Sequence, residues 1–307
     1  MKILISGGSG FIGRYLTGDL MGNHGLLVLG TQRVTSHALT LENKKIPYVF
    51  CDYSIEQLTK ICREHKPDAF INLAAQRLVK NKRNAKDYLI NLDLAINVYE
   101  ACLNANINNI IDISTIGIYN LKDRQPWIET THSVPDNLYS LSKLLTEQSA
   151  AYFNFKGLNI KTLRLAQVIG LGERDGYLLQ TYLKNAKEGL PINVFGKNIG
   201  KRHYVYAKDV VSAIKTALLQ FDKSGIYNLG MEKIYSFKEL AETITGVFGN
   251  RSEIHFDTEA PADESIYHMS IEKARVALDW KPRYDLEKAY SDIQKDLEAL
   301  GLNNKLL

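Results

Sequence analysis

Residues 2–13 read Lys2-Ile3-Leu4-Ile5-Ser6-Gly7-Gly8-Ser9-Gly10-Phe11-Ile12-Gly13. A short apolar run enters a glycine-rich turn, and an amphipathic stretch follows it to residue 21. That order sets G-x-x-G-x-x-G between a strand and a helix, the opening of a dinucleotide-binding fold. Gly7 allows a tight turn, Gly10 lets the backbone approach a pyrophosphate, and Gly13 lets the helix pack close to the sheet. The helix N-terminus, where Phe11 and Ile12 lie, then offers unpaired N–H groups and partial positive charge to phosphates.

Outward from this motif, short apolar runs alternate with longer amphipathic ones, the pattern of a parallel sheet with crossover helices. Strands are expected at 2–6, 26–30, 48–51, 69–73, 110–114 and 161–165, each nearly continuously apolar. Helices are expected at 10–21, 55–64, 87–105 and 138–155. In the last, Leu138, Leu141, Leu145, Ala150 and Phe153 recur at roughly helical spacing. The fold class is therefore α/β: a Rossmann doubly wound parallel sheet with a smaller α/β C-terminal substrate lobe. After about Ala166 the rhythm loosens, with turn signals at 170–172, 189–191 and 196–200. The expected division is residues 1–166 plus about 203–230 for the dinucleotide, and about 167–202 plus 231–307 for the second lobe. Ligands of such sheets bind beyond the carboxyl ends of the strands, so that lobe should cover this edge.

Composition narrows the partners. The 307 residues are 45% hydrophobic and 23% charged, with 38 Lys and Arg against 34 Asp and Glu, a net charge of +4. So small an excess, with charges interspersed, points to neither a nucleic acid nor a membrane surface. No apolar run approaches the roughly 20 residues of a membrane span, and the start lacks a signal-peptide pattern. Cys51, Cys62 and Cys102 form no CxxC pair. Buried thiols in a reducing compartment are expected, with no metal site and a cytoplasmic location.

The end of the second strand tests which dinucleotide is bound. An acidic residue there would hold the ribose 2′-hydroxyl of NAD. Here the segment reads Val28-Leu29-Gly30-Thr31-Gln32-Arg33, with no carboxylate before Glu42. Glycine takes the acidic place, where a carboxylate would repel a 2′-phosphate, and Arg33 can offer that phosphate a planar fork. Thr31 and Arg33 are thus assigned to the cofactor, and NADP(H) is favoured over NAD(H).

A second constellation carries chemistry. Ser114 and Thr115 end the fifth strand, and Tyr139 and Lys143 lie four apart on an expected helix, sharing one face. A nearby ammonium favours phenolate and draws a tyrosine pKa down from about 10. Tyr139 then becomes a credible proton donor to a carbonyl or acceptor from an alcohol, and the Thr115 hydroxyl can hold the same oxygen.

These residues resemble the extended short-chain dehydrogenase/reductases that act on nucleotide sugars, the NAD-dependent epimerase/dehydratase group. The likeness spans nearly the whole chain: the glycine motif, Asp52, residues 67–75 (PDAFINLAA), Asn91, Thr115, Tyr139 and Lys143. It continues through 164–170 (RLAQVIG), 201–209 (KRHYVYAKD), 227–230 (YNLG) and 278–282 (LDWKP). The resemblance implies hydride transfer at a sugar carbon, with Tyr139 as acid/base, Thr115 its partner, and Lys143 tuning Tyr139 and binding the nicotinamide ribose. It puts Asp52 and Tyr53 by the adenine, lets Leu73, Ala74 and Ala75 line the cofactor, and adds Asn91 and Ser114 to that site. Gln167 and Arg202 are implied as contacts of the nucleotide diphosphate sugar. Homodimerisation through the helices at 87–105 and 138–155 is implied as well.

Departures from the family pattern sharpen the subclass. Dehydratases carry an Asp-Glu pair after the catalytic threonine, where Ile116 and Gly117 stand here. Fucose-synthase-like enzymes have a cysteine at the place of Gly117 and a histidine near Gly172. Gln167 stands for the usual Asn, Ala260 for the usual Arg before residues 261–263, and His203 for an acidic residue. His203 is read as structural. The expected activity is NADPH-dependent reduction of a nucleotide-linked 4-keto sugar. A 4-epimerase is the alternative, and a non-catalytic dinucleotide sensor the more distant one.

Overall fold

The first apolar run forms strand β1 (Lys2–Ser6), buried at every residue after Lys2. In the computed structural model the described residues are 1–31, 46–77, 84, 86–173, 178–196, 200–259 and 264–299, with backbone alone at 40–41 and 44–45. After β1 come α1 (Phe11–Leu20), β2 (Gly25–Gly30), the short antiparallel pair β3 (Thr40–Leu41) and β4 (Lys44–Lys45), β5 (Tyr48–Phe50), α2 (Ile55–His65) and β6 (Ala69–Asn72). Next are α3 (Lys86–Asn104), β7 (Asn109–Thr115), α4 (Leu138–Phe155), β8 (Asn159–Leu165), β9 (Gln167–Ile169), α5 (Leu178–Glu188), β10 (Ile192–Phe195) and β11 (Lys201–Tyr206). The chain ends with α6 (Ala207–Leu218), β12 (Gly225–Leu229), β13 (Ile234–Ser236), α7 (Phe237–Phe248), β14 (Ile254–Asp257), α8 (Glu272–Ala277) and α9 (Leu286–Ala299).

Seven parallel strands make the main sheet, in the order β12-β8-β7-β6-β1-β2-β5. This is a Rossmann doubly wound sheet, and its order reverses between β1 and β6, the switch point at which such sheets bind ligands. All six expected strands and all four expected helices are present, with ends displaced by a residue or two. The seventh strand, β12, was read only as a motif, because Tyr227, Asn228 and Gly225 interrupt its apolar pattern.

Period-two alternation divides the core. Ile3, Ile5 and Val28 face one layer with Leu16 of α1, Ile214 of α6 and Ala274 of α8. Leu4, Leu27 and Leu29 face the other, with Leu58 of α2, Val98 of α3 and Phe153 of α4. Each such side chain contributes about 1.5–3 kcal/mol by leaving water. All three cysteines are buried, as read from the sequence. Among the described residues no helix is long and apolar enough to cross a membrane.

Helix α4 has the expected bounds, but its apolar positions are not all covered. Of its apolar positions, Leu141 is exposed, whereas Ser140, Ser142, Lys143, Thr146 and Glu147 are buried. The helix turns a polar face inward because that face meets the site and a buried arginine.

The smaller unit holds a three-stranded sheet, β13-β11-β9, a parallel pair β10-β14, and helices α5, α7 and α9. Leu183, Val194, Tyr204, Leu240, Tyr290 and Ile293 form its core. Two late motifs fasten α6 to the C-terminal part of the chain. Asp209 of α6 accepts the N–H groups of Arg283 and Tyr284, at 2.9 and 3.2 Å. Trp280 Nε1 donates to Ser212 Oγ, 2.8 Å away.

Candidate active site

The glycine turn is built by close approach. Gly7 has φ +67°, and a Cβ there would lie 2.7 Å from both Ala74 N and Leu73 C. The two loops that flank the switch point therefore touch at backbone level, and any side chain at position 7 would part them. A Cβ on Gly13 would lie 2.3 Å from Gly7 O, which is how α1 packs against the turn. Gly10 caps α1 without a side-chain acceptor and donates its own N–H to Gly7 O, 3.0 Å away. The first-turn donors contributed by Phe11 and Ile12 lack a capping side chain and suit an anion.

A buried polar chain underlies this edge. Ser6 and Asn72, the last residues of β1 and β6, stand in register with Asp112 in the middle of β7. Ala74 N–H donates to Ser6 Oγ at 3.3 Å, and Ser6 donates to Asn72 Oδ1 at 2.6 Å. Asn72 donates to Asp112 Oδ2 at 3.3 Å, and Tyr99 of α3 donates to the same oxygen. Every proton in the chain points toward the carboxylate, which orients the Leu73–Ala74 loop. Sequence reading missed these residues. Their signal was present: Asn72 and Asp112 are polar residues inside otherwise apolar strands.

At the cofactor's expected adenosine end, Thr31 is exposed and its carbonyl accepts the Tyr48 hydroxyl at 2.8 Å. Arg33 lies outside the described residues. Asp52 accepts the Ser54 N–H at 2.8 Å, and these hydrogen bonds hold its carboxyl below the usual range. Tyr53 has φ +63°, and its hydroxyl donates to Leu29 O at 3.4 Å. Burial raises its pKa.

Thr115 ends β7 and caps a short 3-10 turn, Ile116–Ile118, with Oγ1 accepting the Gly117 N–H at 3.2 Å. A Cβ on Gly117 would sit 2.5 Å from Ser140 Oγ and 3.6 Å from Thr115 Oγ1. Glycine at 117 thus lets the β7 end approach the start of α4, where Tyr139 is half-buried. One turn on, Lys143 is 4% exposed, and no hydrogen bond or ion pair engages its ammonium among the described residues. Ser114 Oγ is likewise buried without a partner. An unpaired ammonium on α4 and an orphaned hydroxyl near the end of β7 fit a polyhydroxylated group such as a nucleotide ribose.

Asn91 of α3 is buried, with Oδ1 accepting Gln76 N–H at 2.6 Å and Nδ2 donating to Gln76 O and Ser142 Oγ at 3.1 and 2.9 Å. Its amide is spent on tying the β6 loop to α4. Across the cleft, Gln167 pairs in register with Tyr204 on β11, two residues beyond Arg202. The Arg202 guanidinium lies 4.6 Å from the Tyr267 ring and 5.0 Å from Phe237, and donates to Ser265 O at 2.7 Å. The 170–173 loop is fastened to α1, where Leu171 N–H donates to Tyr15 and Arg14 donates to Gly172 O, at 2.6 and 2.8 Å. Glu173, pushed up to about 7 by burial, faces Arg77 at 3.8 Å.

His203 is structural in its geometry. Its Nε2–H meets Met231 O at 2.7 Å, while Nδ1 accepts Met269 N–H at 3.2 Å. Both nitrogens are occupied in the neutral tautomer, and burial pushes the pKa down to about 4.

A parallel doubly wound sheet with a glycine turn at its switch point and a Tyr/Lys pair beside it defines a dinucleotide-binding α/β protein. The chain matches the NAD dependent epimerase/dehydratase family over residues 3–230 and belongs to it. It is 27% identical to the dTDP-4-dehydro-6-deoxyglucose reductase of Escherichia coli, over 97% of this chain and 98% of that one. It is 28% identical to a UDP-glucose 4-epimerase of Azospirillum brasilense, over 92% and 88% of the two chains. The structure of the UDP-N-acetylglucosamine 4-epimerase of Bacillus cereus superposes with TM-score 0.86 at 28% identity, covering 100% of this chain and 99% of that one. The protein is thus a nucleotide-sugar-modifying enzyme of the extended short-chain dehydrogenase/reductase class.

Proposed function

We propose that the protein is an NADPH-dependent reductase of a nucleotide-linked 4-keto sugar. The observation that carries this reading is the end of β2, where Gly30 stands in the acidic residue's place with the Tyr48 ring over it. A site without that carboxylate admits a 2′-phosphate, and Arg33 supplies a cation two residues beyond Thr31. The similarity to a 4-keto-sugar reductase over nearly the full chain supports the same reading.

The cofactor, when bound, supplies hydride to the ketone carbon. Tyr139 donates its phenolic proton to the ketone oxygen, which the Thr115 hydroxyl holds by a second hydrogen bond. The Lys143 ammonium, one helical turn from Tyr139, favours the phenolate left behind and anchors the nicotinamide ribose. Gly7, Gly10, Phe11, Ile12 and Gly13 cradle the pyrophosphate, while Leu73, Ala74, Ala75 and Ser114 line the cofactor. Thr31, Asp52 and Tyr53 serve its adenosine end, and Asn91 holds the lining loop in place. Gln167 and Arg202 take the nucleotide diphosphate, with the Arg202 plane fixed by its two aromatic neighbours. No acid pair follows Thr115, so dehydration is not part of the reaction.

Residues 1–166 plus about 203–230 form the dinucleotide unit, and about 167–202 plus 231–307 the substrate unit. The return of β12 to the main sheet supports this division. A homodimer through α3 and α4 is supported by exposed Leu89, Ile90, Leu141, Tyr152 and Phe155 on those helices.

A retained-cofactor 4-epimerase is the second reading, favoured by the similarity to two 4-epimerases. Incubation with a nucleotide diphosphate 4-keto sugar and NADPH separates the two. Stoichiometric loss of absorbance at 340 nm is expected for the reductase; isomerisation without NADPH loss would establish the epimerase.

A further inference from the structure

Glycine at position 30 has a steric cause. The residue lies at the end of strand β2 with no left-handed backbone angle to demand glycine. A Cβ built there would fall 2.1 Å from Tyr48 Oη and 2.4 and 2.5 Å from two carbons of its ring. Real Cβ atoms do not approach that closely, and the obstacle is a rigid aromatic ring. Tyr48 begins β5, beside Val28 of β2, so strand pairing fixes the backbone from which the ring reaches over Gly30. Its hydroxyl donates to Thr31 O at 2.8 Å, one residue beyond the end of β2. Burial raises the phenol's pKa, so it remains an O–H donor at neutral pH.

We propose that Tyr48 sets cofactor specificity, because its ring fills the volume an acidic side chain at position 30 would need. The adenosine ribose is then met by a neutral phenol in place of a carboxylate. A carboxylate would repel a 2′-phosphate, whereas the Tyr48 hydroxyl can turn its single proton from Thr31 O to one of the phosphate oxygens. This inference rests on the dinucleotide reading above and deepens it: cofactor choice is decided jointly by the end of β2 and the start of β5. A search for an acidic residue along β2 alone would not reveal that coupling.

Calorimetric titration with NADP+ and NAD+ tests the proposal without reference to turnover. The wild-type protein is expected to bind NADP+ the tighter. Tyr48→Phe keeps the ring and loses the hydroxyl, so NADP+ affinity should fall about tenfold, with NAD+ affinity unchanged. Gly30→Asp alone should lower Tm and gain no affinity for NAD+. Gly30→Asp with Tyr48→Ala should recover Tm relative to Gly30→Asp and invert the preference toward NAD+. The proposal is overturned if Gly30→Asp keeps its Tm and favours NAD+ with Tyr48 in place. It is equally overturned if wild type binds NAD+ the tighter, or if Tyr48→Phe leaves the NADP+/NAD+ ratio unchanged. Failure of both dinucleotides to bind wild type would instead refute the cofactor reading beneath it.

Discussion

The Arg164 guanidinium on β8 lies against both carboxylate oxygens of Glu147 on α4, at 2.9 and 2.7 Å. The two side chains are 3% and 0% exposed. Glu147 stands one turn beyond Lys143, so this pair fixes the rotation of the helix that carries Tyr139 and Lys143. Arg164 Nη1 also donates to Tyr119 Oη at 2.7 Å and to Glu129 O at 3.0 Å, so four of its five N–H groups have named acceptors.

Removing one partner strands a buried charge, which costs more than the pair contributes. Glu147→Ala is expected to lower the unfolding free energy by about 3–5 kcal/mol, measured by urea denaturation. A cost under about 1 kcal/mol would mean that water reaches Arg164.

Tyr139 and Lys143 should separate into a chemical and a binding defect. Tyr139→Phe should reduce turnover by about 10²–10⁴-fold and leave dinucleotide affinity near wild type. Lys143→Met should weaken dinucleotide binding itself, because it removes the ammonium available to the ribose. Equal losses of affinity in both variants would contradict these roles.

Glycines in this chain differ in what they permit. Gly13→Ala drives a methyl group to 2.3 Å from Gly7 O, so a loss of about 1–3 kcal/mol is expected, together with loss of dinucleotide binding. Gly246 lies within α7 with open space around it, and Gly246→Ala should stabilise by about 0.5–1 kcal/mol. Thermal melts of the two variants should move in opposite directions.

His203 predicts an acid sensitivity whose sign follows from proton uptake. Its pKa falls from 6.5 to about 4 on folding, so below 6.5 the unfolded chain binds the extra proton. The stabilisation is complete above about 6.5 and is lost as pH falls toward 4. Asp209, pushed up to about 6, and Glu173, at about 7, act in the opposite sense and are common to both proteins compared. Unfolding free energies measured from about pH 7 to about pH 4.5 should therefore fall more steeply in wild type than in His203→Asn. Parallel slopes would place the acid sensitivity elsewhere.

Much of this arrangement was legible beforehand. Strand–turn–helix at residues 2–20 follows from local rules, since glycine spacing and apolar periodicity act over a few residues. The roles read for Gly7 and Gly13 in turn and packing agree with their geometry for the same reason. The spacing of the apolar residues of α4 placed that helix, but helical periodicity does not say which positions another element covers. His203 could be read as structural from its residue type, but its two backbone partners, at 231 and 269, are distant in the chain.

By itself the sequence determined the doubly wound α/β class, the family, and the residue types available for chemistry. Local propensity and motif spacing encode these directly. Tertiary structure alone decided which atoms meet: Asp112 beneath the Leu73–Ala74 loop, Arg164 against Glu147, and Tyr48 over Gly30. The hydrogen bonds behind these contacts join residues 17 to 40 positions apart. They arise only when the strands pair in register and the helices pack on them, a long-range condition that no local pattern carries.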